Sequence, residues 1–414
     1  MGTLLIKAGR LFDGLADTVR EQAFVTVEDD RITGVGLQKD LGESGESNYQ
    51  RVVDLGQDGT VMPGLINMHT HMTFSAGGSV LEDAIHDSDE VRMIRAVENL
   101  RESLACGVTT VRDCGSPPHI ALAARDAVAS SLLSGPRIVT SGAITTTGGH
   151  CWYCSTEADD EDTIRKAVRD HVKNGVDFIK LFATGGNLTP GTNSVEAQFT
   201  EAQMCAATEE ARRLGRRSAS HAHGTQGVRN SIAARVTTIE HCSFQTPEGI
   251  GWEEDLAKQV ADLGIYVCHT VFRGLGKLKD DPNYHFSEQE EAMLAARDQR
   301  LVLTKRLAEK GVKLVSGNDA GVTHCAFGDY PADLVHLADG CGFAPAYVLK
   351  TATSVAAEAL GRDDLGVLAA GKSADLLGVR GNPAEDIRAI LQPQLIVARG
   401  QMAHAPRSRH PISI

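Results

Sequence analysis

The sequence predicts an α/β protein: a (β/α)8 TIM barrel with a small β-sandwich domain built from both chain termini. Three observations point there. The stretch 61–360 alternates strand-like and helix-like segments eight times, as a parallel-stranded barrel requires. Both ends read as short strands broken by glycine and aspartate. The 414 residues suit one large barrel with a smaller companion.

At the N-terminal end the runs "LLIKAGRLFDG", "AFVTVEDDRITGVG" and "RVVDLGQDGTVMPG" alternate in polarity and stop at turn residues. Similar pieces return near the other end, "GVLAAGKSADLLGVRG" and "LIVARGQMA". The expected division is 1–60 plus 361–414 for the composite sandwich and 61–360 for the barrel. Barrel strands are expected at 61–71, 108–114, 137–144, 178–184, 217–223, 237–242, 265–271 and 313–319. Helical periodicity covers 89–106, 161–174, 200–214 and 287–310. Gly107, Gly175, Gly215 and Gly311 follow these helices as C-terminal caps do.

The bulk chemistry narrows the function. A net charge of -13 repels nucleic acid and anionic membrane, so a small-molecule substrate is expected, with neither nucleic acid nor membrane as partner. No apolar run is long enough to span a bilayer, and the first residues lack the pattern of a secretory signal. The nine cysteines, odd in number and irregular in spacing, fit reduced thiols. A cytoplasmic location is therefore expected. Cys151 and Cys154 form a C-x-x-C pair, but no second pair completes a zinc knuckle.

Catalytic groups of such barrels lie at the C-terminal ends of strands. Here those ends carry His69-Thr70-His71, Lys180 in "FIKLFATGG", His221-Ala222-His223, Glu240-His241 and Asn318-Asp319-Ala320-Gly321. Side chains alternate along a strand, so His69 and His71 share a face and can grip one ion, as can His221 and His223. A single histidine is usually just a satisfied polar residue. Four or five at the rim, with an aspartate, form a ligand set for zinc, manganese, iron or cobalt. Lys180 stands between Ile179 and Leu181. Burial there disfavours the ammonium, and a neutral amine can take up CO2 as a carbamate, an anion able to bridge two metals. The plainer alternative is a lysine that reaches out to solvent. Alongside the histidines, the bridging reading is the stronger.

Taken in order, "MPGLINMHTH", "FIKLFATGG", "SHAHG", "TIEHC" and "SGNDAG" resemble the amidohydrolase superfamily, in its imidazolonepropionase-like and prolidase-like branch. The resemblance covers essentially the whole chain. It implies two divalent metal ions, zinc first with cobalt or manganese as alternatives. His69, His71 and Asp319 would bind one, His221 and His241 the other, and carboxylated Lys180 would bridge them. Asn318 departs from relatives that often have threonine before the aspartate, and it is not expected to touch the metals.

The implied chemistry is amide hydrolysis by a metal-bound hydroxide, with Asp319 taking the proton and passing it to the leaving amine. His150, after the Gly148-Gly149 pair, and His223 are candidate donors to the oxyanion. Gly185-Gly186 is a second place where a loop can approach a ligand closely. Prolidase-like relatives cleave dipeptides and N-acyl amino acids beside a free carboxylate. Tyr153, His269 and Arg273 are candidates to hold that substrate, with Arg273 as the carboxylate clamp.

Other relatives take xenobiotic aryl ureas, carbamates or mycotoxin amides, and Trp152, Tyr153, Phe182 and Phe272 are candidates for an aromatic pocket. Opening of a cyclic amide and a metal-free scaffold are weaker alternatives. Relatives of this kind commonly assemble as homo-oligomers, which is the expectation here.

Overall fold

The computed structural model describes residues 2–41, 45–279 and 284–403. The expected sandwich stretch 404–414 lies outside them.

The chain begins with β1 (Thr3–Leu11), β2 (Arg20–Glu28) and β3 (Arg31–Leu37), an antiparallel meander. Next come β4 (Arg51–Asp54) and β5 (Gly59–Pro63), both parallel to β1. The barrel follows: β6 (Leu65–Thr70), β7 (Val108–Asp113), β8 (Arg137–Thr145) with the short β9 (Thr156–Glu157) beside it, and β10 (Phe178–Phe182). It continues with β11 (Arg217–Gly224), β12 (Thr238–Thr246) hairpinned to β13 (Gly249–Ile250), β14 (Tyr266–Cys268) and β15 (Leu314–Val315). The chain then returns to the first sheet with β16 (Leu376–Arg380), β17 (Pro393–Ala398) and β18 (Gln401–Met402).

β6, β7, β8, β10, β11, β12, β14 and β15 pair in that order, every pair parallel. The residues beyond β15 close the ring against β6: Met68 N–H donates to the Ser316 carbonyl at 3.0 Å and His71 N–H to the Ala320 carbonyl at 2.8 Å. This is the (β/α)8 barrel expected. The terminal sheet runs β18-β17-β16-β5-β1-β2-β3, and its inward side chains from both chain ends (Ile6, Val25, Val61, Leu376 and Val397 among them) share one apolar core.

Three strands differ from expectation. The segment 61–71 is two strands in two sheets, separated at Gly64, whose N–H donates to the Asp375 carbonyl at 2.9 Å. Every residue of β5 and β6 is buried, so no polarity change marks the break. β14 and β15 are shorter than 265–271 and 313–319, because the chain leaves the ladder early. Thr270 and Asp319 lie there at φ +47° and +62°, left-handed conformations outside regular strand geometry.

The helices follow their periodicity. Glu161–Lys173 and Glu201–Arg213 each begin with a capping box, Asp160 with Thr163 and Thr200 with Gln203. The first buries Ile164, Ala167, Val168 and His171 on one face against the barrel. Among the described residues no helix is long and apolar enough to cross a membrane.

Candidate active site

All the histidines singled out at strand ends meet at one mouth of the barrel, in two groups. The first is built on β6. His69 Nδ1 bonds Glu240 Oε2 at 2.9 Å, and the other Glu240 oxygen accepts from Arg112 Nη2 at 2.6 Å. Burial would raise the Glu240 carboxyl, but Arg112 and His69 hold it well below the usual range. His71 Nδ1 donates to the Gly115 carbonyl at 2.8 Å, which leaves its Nε2 lone pair facing inward. The Nε2 atoms of His69 and His71 face Asp319 Oδ1 at 3.3 and 3.2 Å. That oxygen is buried and has no hydrogen-bond partner. Burial pushes the Asp319 carboxyl up, yet His69 and His71 beside it bring it well below its ordinary value. The close approach of the last strand depends on Gly317, since a Cβ there would sit 2.5 Å from His69 N.

The second group is built on β11 and β12. His221 Nε2 lies 3.2 Å from the Gly185 carbonyl, so it carries the proton, and His221 Nδ1 faces His241 Nε2 at 2.9 Å. His241 Nδ1 is held by Thr270 Oγ1 at 2.7 Å. His223 stacks on His241 with centroids 4.3 Å apart, and its Nδ1 meets Ser243 Oγ at 3.0 Å. Burial, reinforced by neighbouring rings and cations, holds all three imidazoles well below their ordinary value. His241 sits at φ +72°, a left-handed backbone that costs about 1–3 kcal/mol at such a residue. The twist brings both Glu240 and His241 into the barrel interior, where a regular strand would send them to opposite faces.

Lys180 lies between the groups in β10, with no solvent exposure. Its ammonium has one long contact, to the Cys114 carbonyl at 3.5 Å, and faces the Phe182 ring at 4.6 Å. No described carboxylate pairs with it.

The donor set fits cations. Inward-facing nitrogens of four imidazoles, an orphaned carboxylate oxygen and an uncompensated buried amine are a poor match to one another and a good one to positive ions. Three donor groups among the described residues lie close enough to share an ion: His221 with His223 and His241, His69 with His241 and Asp319, and His69 with Cys114 and Glu240.

The remaining candidates divide. His150 is buried 4.7 Å (ring to ring) from His221, with Nδ1 unpartnered. Gly186 makes room for that ring rather than for a ligand, because a Cβ there would meet His150 Nε2 at 2.4 Å. Tyr153 stands one layer out, against Phe74, which stacks on His71. His269 is committed elsewhere: Nε2 bonds Ser316 Oγ at 3.1 Å and Nδ1 accepts from Val271 N–H at 3.0 Å, leaving no ring nitrogen for a substrate. Arg273 is also committed, with Asp329 at 3.6 Å and Asp333 at 3.5 Å, so its need for an anion is met within the chain. Phe182 is buried, Phe272 is covered by Arg297, and Trp152 is largely exposed, so the aromatics form no common pocket wall. Asn318 turns away from the cluster, bonding Asn67 and Asp333 at 2.8 Å each.

Sequence reasoning assigned no role to Arg112, Glu240, Thr270 or Arg300. The signal for Arg112 was present, a charged residue in the apolar run "VTTVRDC", the same signal that marks Lys180. Arg300 sits in an ordinary-looking helix, Glu288–Glu309, where nothing in the sequence sets it apart.

Fold and side chains together define a barrel hydrolase with its chemistry at the strand ends. The chain belongs to the amidohydrolase family, whose model matches residues 60–402. It is similar to ochratoxinase of Aspergillus niger, 26% identical over 95% of this chain and 84% of that protein. Among solved structures it resembles a Xaa-Pro dipeptidase with methionine bound in its active site, at 30% identity and TM-score 0.82, covering 97% of this chain and 99% of the other. It also resembles a prolidase complexed with N-methylphosphonate-L-proline, at 25% identity and TM-score 0.83, covering 97% and 99%. These relatives fall in the prolidase-like branch that the motifs resemble.

Proposed function

We propose that the protein is a metal-dependent amidohydrolase with a two-metal centre, cleaving dipeptides or N-acyl amino acids. The observation that carries this is the convergence of ligand atoms: His69 and His71 Nε2 on an orphaned Asp319 oxygen, and His221 Nδ1 beside His241 Nε2. His69, His71 and Asp319 would hold one divalent ion and His221 and His241 the other, with zinc the first choice. Lys180 lies between them, and as a carbamate it would bridge both. Divalent ions bound here would polarise the scissile carbonyl and make water acidic near neutral pH.

The chain's own residues do the rest. Asp319, ionised at neutral pH, accepts the proton of the attacking water and returns it to the leaving nitrogen. His150 offers an imidazole beside His221 with one nitrogen uncommitted, suited to the developing oxyanion. Glu240 fixes the tautomer of His69 and Thr270 holds the ring of His241 from behind. Two of the related structures hold methionine or an L-proline phosphonate, amino-acid ligands, and this favours the dipeptide class over neutral xenobiotics.

The test is hydrolysis of dipeptides, N-acyl amino acids and aryl ureas with zinc, cobalt or manganese supplied, and metal content measured on the same sample. Turnover of the amino-acid amides, lost on chelation and restored by metal, is expected. Turnover of aryl ureas alone would overturn the substrate class. Undiminished turnover in metal-stripped protein would overturn the mechanism.

A further inference from the structure

We propose that Asp333 is a positioning residue that ties the two halves of the candidate site together, one carboxylate oxygen fixing the strand ends that bear His69 and Asp319 and the other fixing the loop behind His241. This rests on the two-metal reading above.

The barrel closes on few backbone bonds, since β15 has only two residues. Between the Met68–Ser316 and His71–Ala320 bonds, a buried pair of amides spans the seam. Asn67 Nδ2 donates to Asn318 Oδ1 at 2.8 Å. Asn67 Oδ1 accepts from the backbone N–H of His69 at 3.2 Å and of Asn318 at 3.4 Å. Asn318 Nδ2 then donates to the buried Asp333 Oδ2 at 2.8 Å. The helix that carries Asp333, Tyr330–Cys341, braces the seam again, because Tyr330 Oη reaches the Ile66 and Ser316 carbonyls at 2.7 and 3.0 Å.

The direction of this chain of bonds is set from its ends. A backbone N–H can only donate and an ionised carboxylate can only accept, so neither amide is free to turn over. Burial and the neighbouring Asp329 push the Asp333 carboxyl up to about 6, which leaves it ionised at neutral pH.

The other oxygen faces the second half. Asp333 Oδ1 accepts from Arg273 N–H at 2.9 Å. Three residues earlier, Thr270 Oγ1 meets His241 Nδ1 at 2.7 Å. Arg300 Nη2 donates to the same hydroxyl at 2.6 Å and lies 3.4 Å from that ring nitrogen. Asp333 is thus bonded to no candidate metal ligand itself, yet a short run of bonds leads from it to each half.

Two variants test this. Asp333→Asn offers one acceptor where two donors need it, so either Asn318 or the loop loses its bond. The reversed pair, Asn318→Asp with Asp333→Asn, moves the carboxylate one position along the chain and again sets a donor opposite every acceptor. Were Asp333 only the counter-ion of Arg273, 3.5 Å away, the reversed pair would repair nothing, because it carries the charge off the arginine.

Two readouts need no substrate. One is zinc affinity by competition with a chelator. The other is hydrogen exchange of the metal-free protein across 66–72 and 267–276, with the helix Glu161–Lys173 as control. In Asp333→Asn zinc binding should weaken about tenfold or more. Exchange should rise about tenfold in both segments and stay unchanged in the control helix. The reversed pair should recover most of both losses. Unchanged affinity or exchange in Asp333→Asn, a rise confined to one segment, or no recovery in the reversed pair overturns the proposal.

If wild type binds no zinc, the two-metal reading fails, and hydrogen exchange alone decides on Asp333 by the same criteria. If Asp333→Asn does not fold, the reversed pair decides: folding with exchange near that of wild type supports the relay, and failure to fold refutes it.

Discussion

The two halves of the centre are built from the same side chain and backed by opposite chemistry. Two ionised carboxylates flank His69 and His71, Glu240 behind His69 and Asp319 facing both rings, with Arg112 neutralising Glu240. Behind His221, His223 and His241 stand a carbonyl, two hydroxyls and a guanidinium. Proton affinity follows in part: His71 is raised, because Asp319 more than offsets its burial, His69 is lowered by burial that its carboxylates only partly offset, and His221, His223 and His241 are driven well down. A site that attracts protons by its charge attracts metal cations by the same field. The difference therefore predicts unequal affinity, with the carboxylate-backed half the tighter.

The most severe way to break the comparison is to remove what the halves share. Lys180→Ala should lose both metal and turnover, seen as less than one metal per chain by elemental analysis. Asp319→Asn should reduce kcat about a thousandfold or more while the melting temperature stays within a few degrees, since the amide keeps the shape and loses the base. Full activity in either variant would end the two-metal mechanism.

The next test compares the backing groups. Glu240→Gln leaves Arg112 buried without its counter-charge, at about 3–5 kcal/mol in denaturant unfolding. Metal affinity in the first half should fall about 10–100-fold. Thr270→Val removes a neutral partner and should cost about 1 kcal/mol. Equal losses in the two variants would mean the backing charge is irrelevant.

Chelator titration sharpens the same contrast. Metal should leave in two steps, with a plateau near one per chain, and a single step would refute unequal halves. The smallest effect is on pH. The depressed imidazoles of the second half bind fewer protons in the fold than in the unfolded chain below about pH 6.5. Stability of the metal-free protein is then complete above that value and lost progressively as pH falls. The measurement is the melting temperature of chelated protein between pH 7.5 and 5, and His223→Asn should flatten the slope.

Much of the barrel was legible because strand and helix periods differ and glycine marks helix ends. Gly107, Gly175, Gly215 and Gly311 all follow their helices at positive φ. The histidines, Lys180 and Asp319 were legible because polar groups stood where apolar strands end. What was not legible depended on distance in space. Arg273 looked like a clamp until Asp329 and Asp333, more than fifty residues on, were seen to hold it. Glu240 looked like a flank of His241 until the left-handed backbone turned both inward. Arg300 lies 59 residues beyond the ring it touches, and no local pattern encodes that contact.

The handover at Gly64 bears on how the protein is made. β5 pairs along its length with β16, Pro63 opposite Leu376, and runs without a loop into β6, which carries His69. β1, its other neighbour, is made before it, but β16 is synthesised some three hundred residues later, tens of seconds at ribosomal rates of about 5–20 residues per second. Until then the strand that presents His69 lacks the neighbour that anchors its start. The nascent chain must keep an apolar segment out of wrong pairings for that whole interval, which makes this stretch the natural place for a chaperone to act and for a late truncation to be felt at the candidate site.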